Sequence, residues 1–165
     1  MQQVEQAVLL SIRPEFVDRI VSGEKRFEFR RSRPVRLRDG TLLLVYCTVP
    51  RGALVAVARV RAVLESESAE QLWSQTAEAA GISAAAFHAY FSGAERCVAI
   101  ELESVESLVP VPLAALREAW PGFQPPQGHH YAEVDAAANE ARRGGGAAVR
   151  LVRRVADDSA HRASA

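Results

Sequence analysis

The sequence predicts an α+β domain: a small mixed β-barrel of about five to six strands with short helices at its rim. Three observations carry this. Segments of strand composition recur, most of them alternating apolar and polar residues as half-buried strands do. Short helical segments with recognisable start and stop residues lie between them. The third and fourth strands are too close in sequence for a parallel crossover, which disfavours a doubly wound parallel sheet.

The elements follow in order. AVLLSI (7–12) is a branched, apolar strand. RPEFVDRIVSGEK reads as a helix, with Pro14 in the first turn, Phe16, Ile20 and Val21 at helical spacing, and Gly23 as its stop. KRFEFRR alternates as a strand, and SRPVRLRDGT is a loop with an Asp39-Gly40 turn. LLLVYCTV (42–49) is a fully apolar strand broken by Pro50 to Gly52, and ALVAVARVRAVLES (53–66) is a long alternating one. Ser68 caps a helix marked by Leu72, Trp73 and Thr76 and stopped at Gly81. Ser83 caps a second helix, SAAAFHAYFSG, ended at Gly93. ERCVAIELESVESL returns to strand, and PLAALREAWPG is a short helix ended by Pro121. QPPQGHHY (124–131) reads as a turn-rich loop. From Ala132 the composition shifts to Ala, Arg and Gly. Residues 132–165 are therefore read as an extension, either a flexible tail or a segment ordered by packing, with a short helix allowed over 133–143.

Composition narrows the function. The 165 residues hold 48% hydrophobic side chains, enough for one sizeable core in a domain spanning 1–131. Net charge is zero, yet residues 1–61 carry an excess of six positive charges that residues 62–165 offset. A basic first half suits an acidic partner such as nucleic acid or a nucleotide. Cys47 and Cys97 sit in apolar runs and read as buried free thiols. The start lacks the features of a secretory signal, and no apolar run approaches the ~20 residues of a membrane span. The expectation is a cytoplasmic protein with no membrane partner.

Lys25 is the single lysine among twenty Lys and Arg residues. In a chain whose Ala, Arg and Gly richness suggests a GC-rich coding bias, a generic surface cation drifts to arginine. The lysine therefore draws attention to its neighbours. GEKRFEFR spells G-x-K-x-x-E-x-R. Alternation puts Phe27 and Phe29 on one face, toward a core, and Glu28 and Arg30 on the other, toward solvent or a cleft. Lys25 shares the parity of the phenylalanines but stands at the strand entrance, from which it can swing to the same opening. An ammonium offers three donors, and Arg30 a planar fork for phosphate or a base edge. Arg26 and Arg30 would lower the lysine's pKa and Glu28 would raise it. Arg31, Arg33, Arg36 and Arg38 follow in a loop suited to phosphate contacts. Tyr46, Trp120 and Tyr131 are candidate stacking platforms, whereas Trp73, Phe87 and Phe91 read as core. His129 and His130 point apart in extended chain and lack a third ligand, so no metal site is expected. No cofactor motif is present.

This arrangement resembles the ASCH domain family, a branch of the PUA-like barrels. The resemblance rests on the motif after a strand and short helix, on LVYCTVPRGALVAVARV with Tyr46, Thr48 and Pro50, on the insert GISAAAFHAYFSG, and on the closing VPLAALREAW and PPQGHHY. It covers roughly residues 7–131. It implies a PUA-like mixed barrel with a cleft beside the motif, and association with RNA, modified nucleotides and regulation of translation or transcription. Cleft residues implied are Lys25, Glu28, Arg30, Tyr46 and Thr48, with Gln127, His129 or Tyr131 from the closing segment. The resemblance implies two candidate activities. One is amide hydrolysis of acetylated cytidine, where a threonine three residues after the motif lysine is the nucleophile; here that place holds Glu28. The other is a proposed ribonuclease activity. An RNA- or nucleotide-binding module is the leading expectation, and a hydrolase of modified nucleosides or RNA using Lys25 and Glu28 is the alternative. A protein-interaction domain whose trio is only a structural ion pair is the third.

Overall fold

The computed structural model describes residues 4–135 and the backbone of residues 151–155. In chain order the elements are β1 (Val4–Ile12), α1 (Pro14–Ser22), β2 (Phe27–Arg30), β3 (Leu42–Cys47), β4 (Ala53–Ser66), α2 (Ala69–Thr76) continued by a 3₁₀ turn (Ala77–Ala79), α3 (Ala84–Phe91), β5 (Cys97–Pro112), α4 (Leu113–Ala119), β6 (His129–Asp135) and β7 (Leu151–Val155). The strands form one mixed sheet ordered β2-β5-β4-β3-β1-β6-β7. Only β1 and β3 run parallel, joined through α1 and β2, while β3 and β4 form the expected antiparallel hairpin.

The expected α+β mixed sheet forms, but it does not close into the expected barrel. Among the described residues no ladder joins the two ends of the sheet, so it stays open. β2 is four residues long and pairs with β5 alone. The reason is local: β2 ends in RRSRP, and Pro34 and the Asp39-Gly40 turn leave no further strand to pair across the gap.

Local signals set the helix ends. Pro14 sits in the first turn of α1, and Gly23 closes it at φ 85°, donating its N–H to the Ile20 carbonyl. Ser68 and Ser83 accept backbone N–H bonds from Gln71 and Ala86, as N-caps do. One face differs from expectation. Val17 and Ile20 are buried in α1, while Val21 points outward, because the i, i+3 row from Val17 to Ile20 faces the sheet.

Three clusters make the core. Even residues of β1 (Val8, Leu10, Ile12) pack with Leu43, Val45, Val60, Val98 and Ile100 on the sheet face covered by α1. Odd residues (Ala7, Leu9) pack on the other face with Leu44, Tyr46, Leu54, Leu116, Trp120 and Phe123. β1 and β3 are thus buried on both faces, which explains their unbroken apolar runs. The third cluster joins Phe27 and Phe29 to Phe87, Phe91 and Leu72 of the helices α2 and α3. Cys47 and Cys97 are buried free thiols, and burial pushes both pKa values up.

The end of the chain also differs. β6 begins at His129, inside the segment read as a loop, and runs past Tyr131, the boundary drawn from composition. Residues 133–135 of the span allowed a helix are strand; the rest of that span, like the remainder of the extension apart from β7, lies outside the described residues. β7 pairs antiparallel with β6. The ladder partner supplied by β1 decides this, a non-local signal that polar composition cannot carry. Among the described residues no helix is long and apolar enough to cross a membrane.

Phe87, fully buried among Phe29, Phe91 and Trp73, anchors the third cluster. Phe87→Ala should lower unfolding free energy by about 3–5 kcal/mol. Val109→Ala, at a side chain 76% exposed, should change it by less than about 0.5 kcal/mol. Denaturant midpoints at constant slope check both.

Candidate functional site

β2 sets the site. In its ladder Glu28 stands opposite Ile100 and Arg30 opposite Val98, so both project on the α1 side, and Phe27 and Phe29 project toward α2 and α3. The alternation read from sequence holds.

Lys25 precedes β2 and is 3% exposed. It belongs to a clasp on three consecutive carbonyls at the connection between the 3₁₀ turn and α3. The Arg26 N–H donates to Ala79 O at 2.9 Å, Lys25 Nζ to Ala80 O at 2.9 Å, and the Arg19 guanidinium to Gly81 O at 2.7 Å. The Lys25 N–H in turn donates to Arg19 O. Gly81 permits the approach. A Cβ there would lie 2.3 Å from Lys25 Cβ, and its φ of +65° strains any other residue. Lys25 Nζ also sits 4.6 Å from the Phe29 ring centroid and 5.4 Å from that of Phe16. Burial pulls its pKa from 10.5 down to about 8, Glu28 opposes that, and Arg19 adds to it. Arg19, not the expected Arg26 or Arg30, is the cation that matters. One ammonium proton is held by Ala80, which leaves the others for the cavity.

Arg30 bridges the open side of the sheet. Its guanidinium donates to Ser11 O at 2.8 Å and to Gly128 O at 3.3 Å. β6 begins opposite Leu10, so the Ser11 carbonyl lies just beyond the β1–β6 ladder, and the side chain takes the place of a strand. Arg30 Nε lies 3.1 Å from Glu28 Oε1 as an ion pair, without hydrogen-bond alignment. The expected fork for phosphate is thus committed to the scaffold and to orienting a carboxylate that is itself buried.

Lys25, Glu28 and Arg30 line one cavity of about 560 Å³ with Ser11, Phe16, Phe29, Ile82, Ala86, Tyr90 and Gln127. Its walls are largely apolar with a few polar groups among them, the usual character of a small-ligand site. Sequence reasoning missed Tyr90. It is 39% exposed, its phenolic pKa is raised by burial, and its carbonyl accepts two N–H bonds from Arg31, which also lies over its ring. The available signal was its place beside the Phe87–Phe91 core pair, on the flank of α3 nearer the motif.

Other expected cleft residues lie elsewhere. Tyr46 is 2% exposed in the second core against Phe123, and Trp120 stacks on Phe123 with ring centroids 5.2 Å apart; neither offers a face to a base. Tyr46 lies on a strand buried on both faces, and Trp120, at the end of α4, packs into the same core cluster. Thr48 is half-buried in the turn after β3, its N–H donating to Ile12 O, and does not line the cavity. Tyr131 is buried; its hydroxyl accepts from the Arg36 N–H, and with Arg36 and Arg38 it lines a separate cavity of about 200 Å³. His129 packs edge-on against Tyr131, and the His130 ring lies 2.9 Å from Gln124 O. Among the described residues no group of three or more His, Cys, Asp or Glu side chains could hold a metal ion. The arginine loop is divided rather than one arm: Arg31 and Arg33 face one side, Arg36 and Arg38 the other.

A model of the ASCH domain matches residues 10–107. The chain is 33% identical over 119 residues to a protein of Zymomonas mobilis named as an ASCH domain-containing ribonuclease, covering 72% of this chain and 79% of that one. The crystal structure of ASCH from Zymomonas mobilis is similar at a TM-score of 0.70 and 32% identity, covering 74% of this chain and 85% of that one. A mutant of that protein gives a TM-score of 0.70 at 31% identity, covering 74% and 87%.

Two predictions follow from the clasp. Gly81→Ala combines a clash with Lys25 and a left-handed backbone, and should destabilise by about 2–4 kcal/mol in denaturant titration. For Lys25, the folded state releases its proton near pH 8 while the unfolded chain holds it to 10.5, so stability rises with pH across that window. The stability difference between wild type and Lys25→Met should shift toward wild type by about 2 kcal/mol from about pH 7 to about pH 10. With carbon-13 lysine labelling, the single Cε resonance should titrate near 8; a midpoint near 10.5 would contradict the burial argument.

Proposed function

Because the chain belongs to the ASCH domain family, we propose that it acts on RNA, holding one unstacked nucleotide in the Lys25–Glu28 cavity and cleaving the adjoining phosphodiester. The observation that carries the proposal is the pairing of a buried ammonium whose pKa is pulled to about 8 with a buried, oriented carboxylate in one apolar-walled cavity. The named activity of the Zymomonas mobilis relative supports it.

The roles follow from chemistry. Tyr90, Phe16 and Phe29 give the base apolar and aromatic surface. Glu28, held by Arg30, accepts the proton of the ribose 2′-hydroxyl as its oxygen attacks phosphorus. Lys25, held by Ala80, gives a proton to the departing 5′-oxygen. The P–O5′ bond breaks as the O2′–P bond forms, and no oxidant or cofactor is needed. Desolvation strengthens both groups' interactions with the developing charge. Hydrolysis of acylated nucleosides is less well supported, because Glu28 stands in place of a threonine nucleophile and is fixed by Arg30.

Single-stranded RNA should be cut by the wild-type protein, with cleavage falling about 10²-fold or more in Glu28→Gln at unchanged thermal midpoint. The rate should decline as pH rises through about 8, since Lys25 must be protonated to act as the acid. An RNA panel left intact, or Glu28→Gln cutting at the wild-type rate, would refute the catalytic assignment.

A further inference from the structure

Beside the cavity lies a second cleft of about 450 Å³, lined by Arg31, Ser32, Arg33, Val35, Glu65, Glu95 and Arg96. The sheet order assembles it. β2, β5 and β4 are neighbours, with Arg30 opposite Val98 and Glu65 opposite the same Val98, so Arg31, Arg96 and Glu65 come to one end of three adjacent strands. Arg31 joins this cleft to the cavity: its guanidinium holds the Tyr90 carbonyl and lies 5.3 Å from the Tyr90 ring centroid. Tyr90 lines one space and Arg31 the other.

Within the cleft the Glu65 carboxylate sits between two arginines, 3.8 Å from Arg33 and 3.6 Å from Arg96. These are long, solvent-exposed contacts, weak compared with a bidentate pair. Arg33 is also turned by two bonds to Leu37 O. The geometry is that of an oxyanion held between guanidiniums from the loop after β2 and from the residue before β5.

Building on the RNA reading above, we propose that this cleft is a phosphate subsite for the nucleotide next to the one in the cavity, and that Glu65 occupies it until the RNA phosphate displaces it. The strand then passes over Tyr90 and Arg31, and its backbone meets Arg33 and Arg96. The preferred substrate is therefore a single strand of two or more nucleotides, not a free nucleoside or mononucleotide. Glu65 acts as an internal competitor: it lowers affinity and sharpens the requirement for a backbone strong enough to replace it.

The test uses fluorescence anisotropy with 2′-fluoro pentanucleotides of each base, which lack the attacking hydroxyl, and the matching nucleoside 5′-monophosphates. Pentanucleotides should bind the wild-type protein at least about tenfold more tightly than the monophosphates. Arg96→Glu, at a 65% exposed side chain, should remove that advantage and reduce the salt slope by about 0.7 per lost phosphate contact, leaving monophosphate affinity unchanged. Glu65→Gln should raise pentanucleotide affinity and leave monophosphate affinity unchanged. Tyr90→Ala should weaken both ligands. If neither Arg96→Glu nor Glu65→Gln changes pentanucleotide binding while Tyr90→Ala still weakens it, the subsite is overturned and the cavity reading survives. If the wild-type protein binds no pentanucleotide and no monophosphate, both fall.

Discussion

The clasp on the carbonyls of Ala79, Ala80 and Gly81 is the constraint on which the site depends. Three successive acceptors leave a 3₁₀ turn with no helix of their own to satisfy them. A buried acceptor left without a donor costs about 1–3 kcal/mol. Here a backbone N–H and an ammonium from the segment just before β2, and a guanidinium from α1, meet them. The clasp fixes α3 against β2, and hence Tyr90 and Ala86 against Lys25 and Glu28. It also explains the lysine. Gly81 packs against the Lys25 stem, and a compact ammonium ends the stem within reach of one carbonyl and two rings. A guanidinium is planar, wider and holds its charge at any ordinary pH.

The two basic groups of the motif are thereby given different work. Arg30 is engaged by the Ser11 and Gly128 carbonyls and ion-paired with Glu28. Lys25 retains free donors and has a pKa drawn toward neutrality by burial. One holds geometry, the other can exchange a proton. A pair so divided is the usual arrangement when environment rather than residue type assigns acid–base roles.

Much of this was legible locally. Caps at Ser68 and Ser83, the Gly23 stop, and the Phe27/Phe29 alternation depend on residues a few positions apart, and the chain states them directly. One rare residue and its spacing drew attention to Lys25 and Glu28, which the structure buries beside one cavity. What could not be read is what the sheet order joins. Tyr90 meets the motif through the packing of α3, and Arg96 and Glu65 meet Arg31 and Arg33 only because β2 lies beside β5, and β5 beside β4. Tyr46 and Trp120 look like stacking surfaces in sequence because aromatic composition does not reveal that their strand or turn is covered on both sides. β6 begins with two histidines after a Pro-Gly loop, and its strand character comes from β1.

The open seam between β2 and β1 has a wider meaning. A hydrogen-bonded ladder there would fix the two walls at the strand spacing of about 4.8 Å, too narrow for a heterocycle with its sugar. A single guanidinium on a flexible stem holds them instead, as a strut does. That strut reaches from β2 to the Ser11 carbonyl past the end of the β1–β6 ladder and to the Gly128 carbonyl. The unfinished edge leaves open a space that a completed ladder would fill.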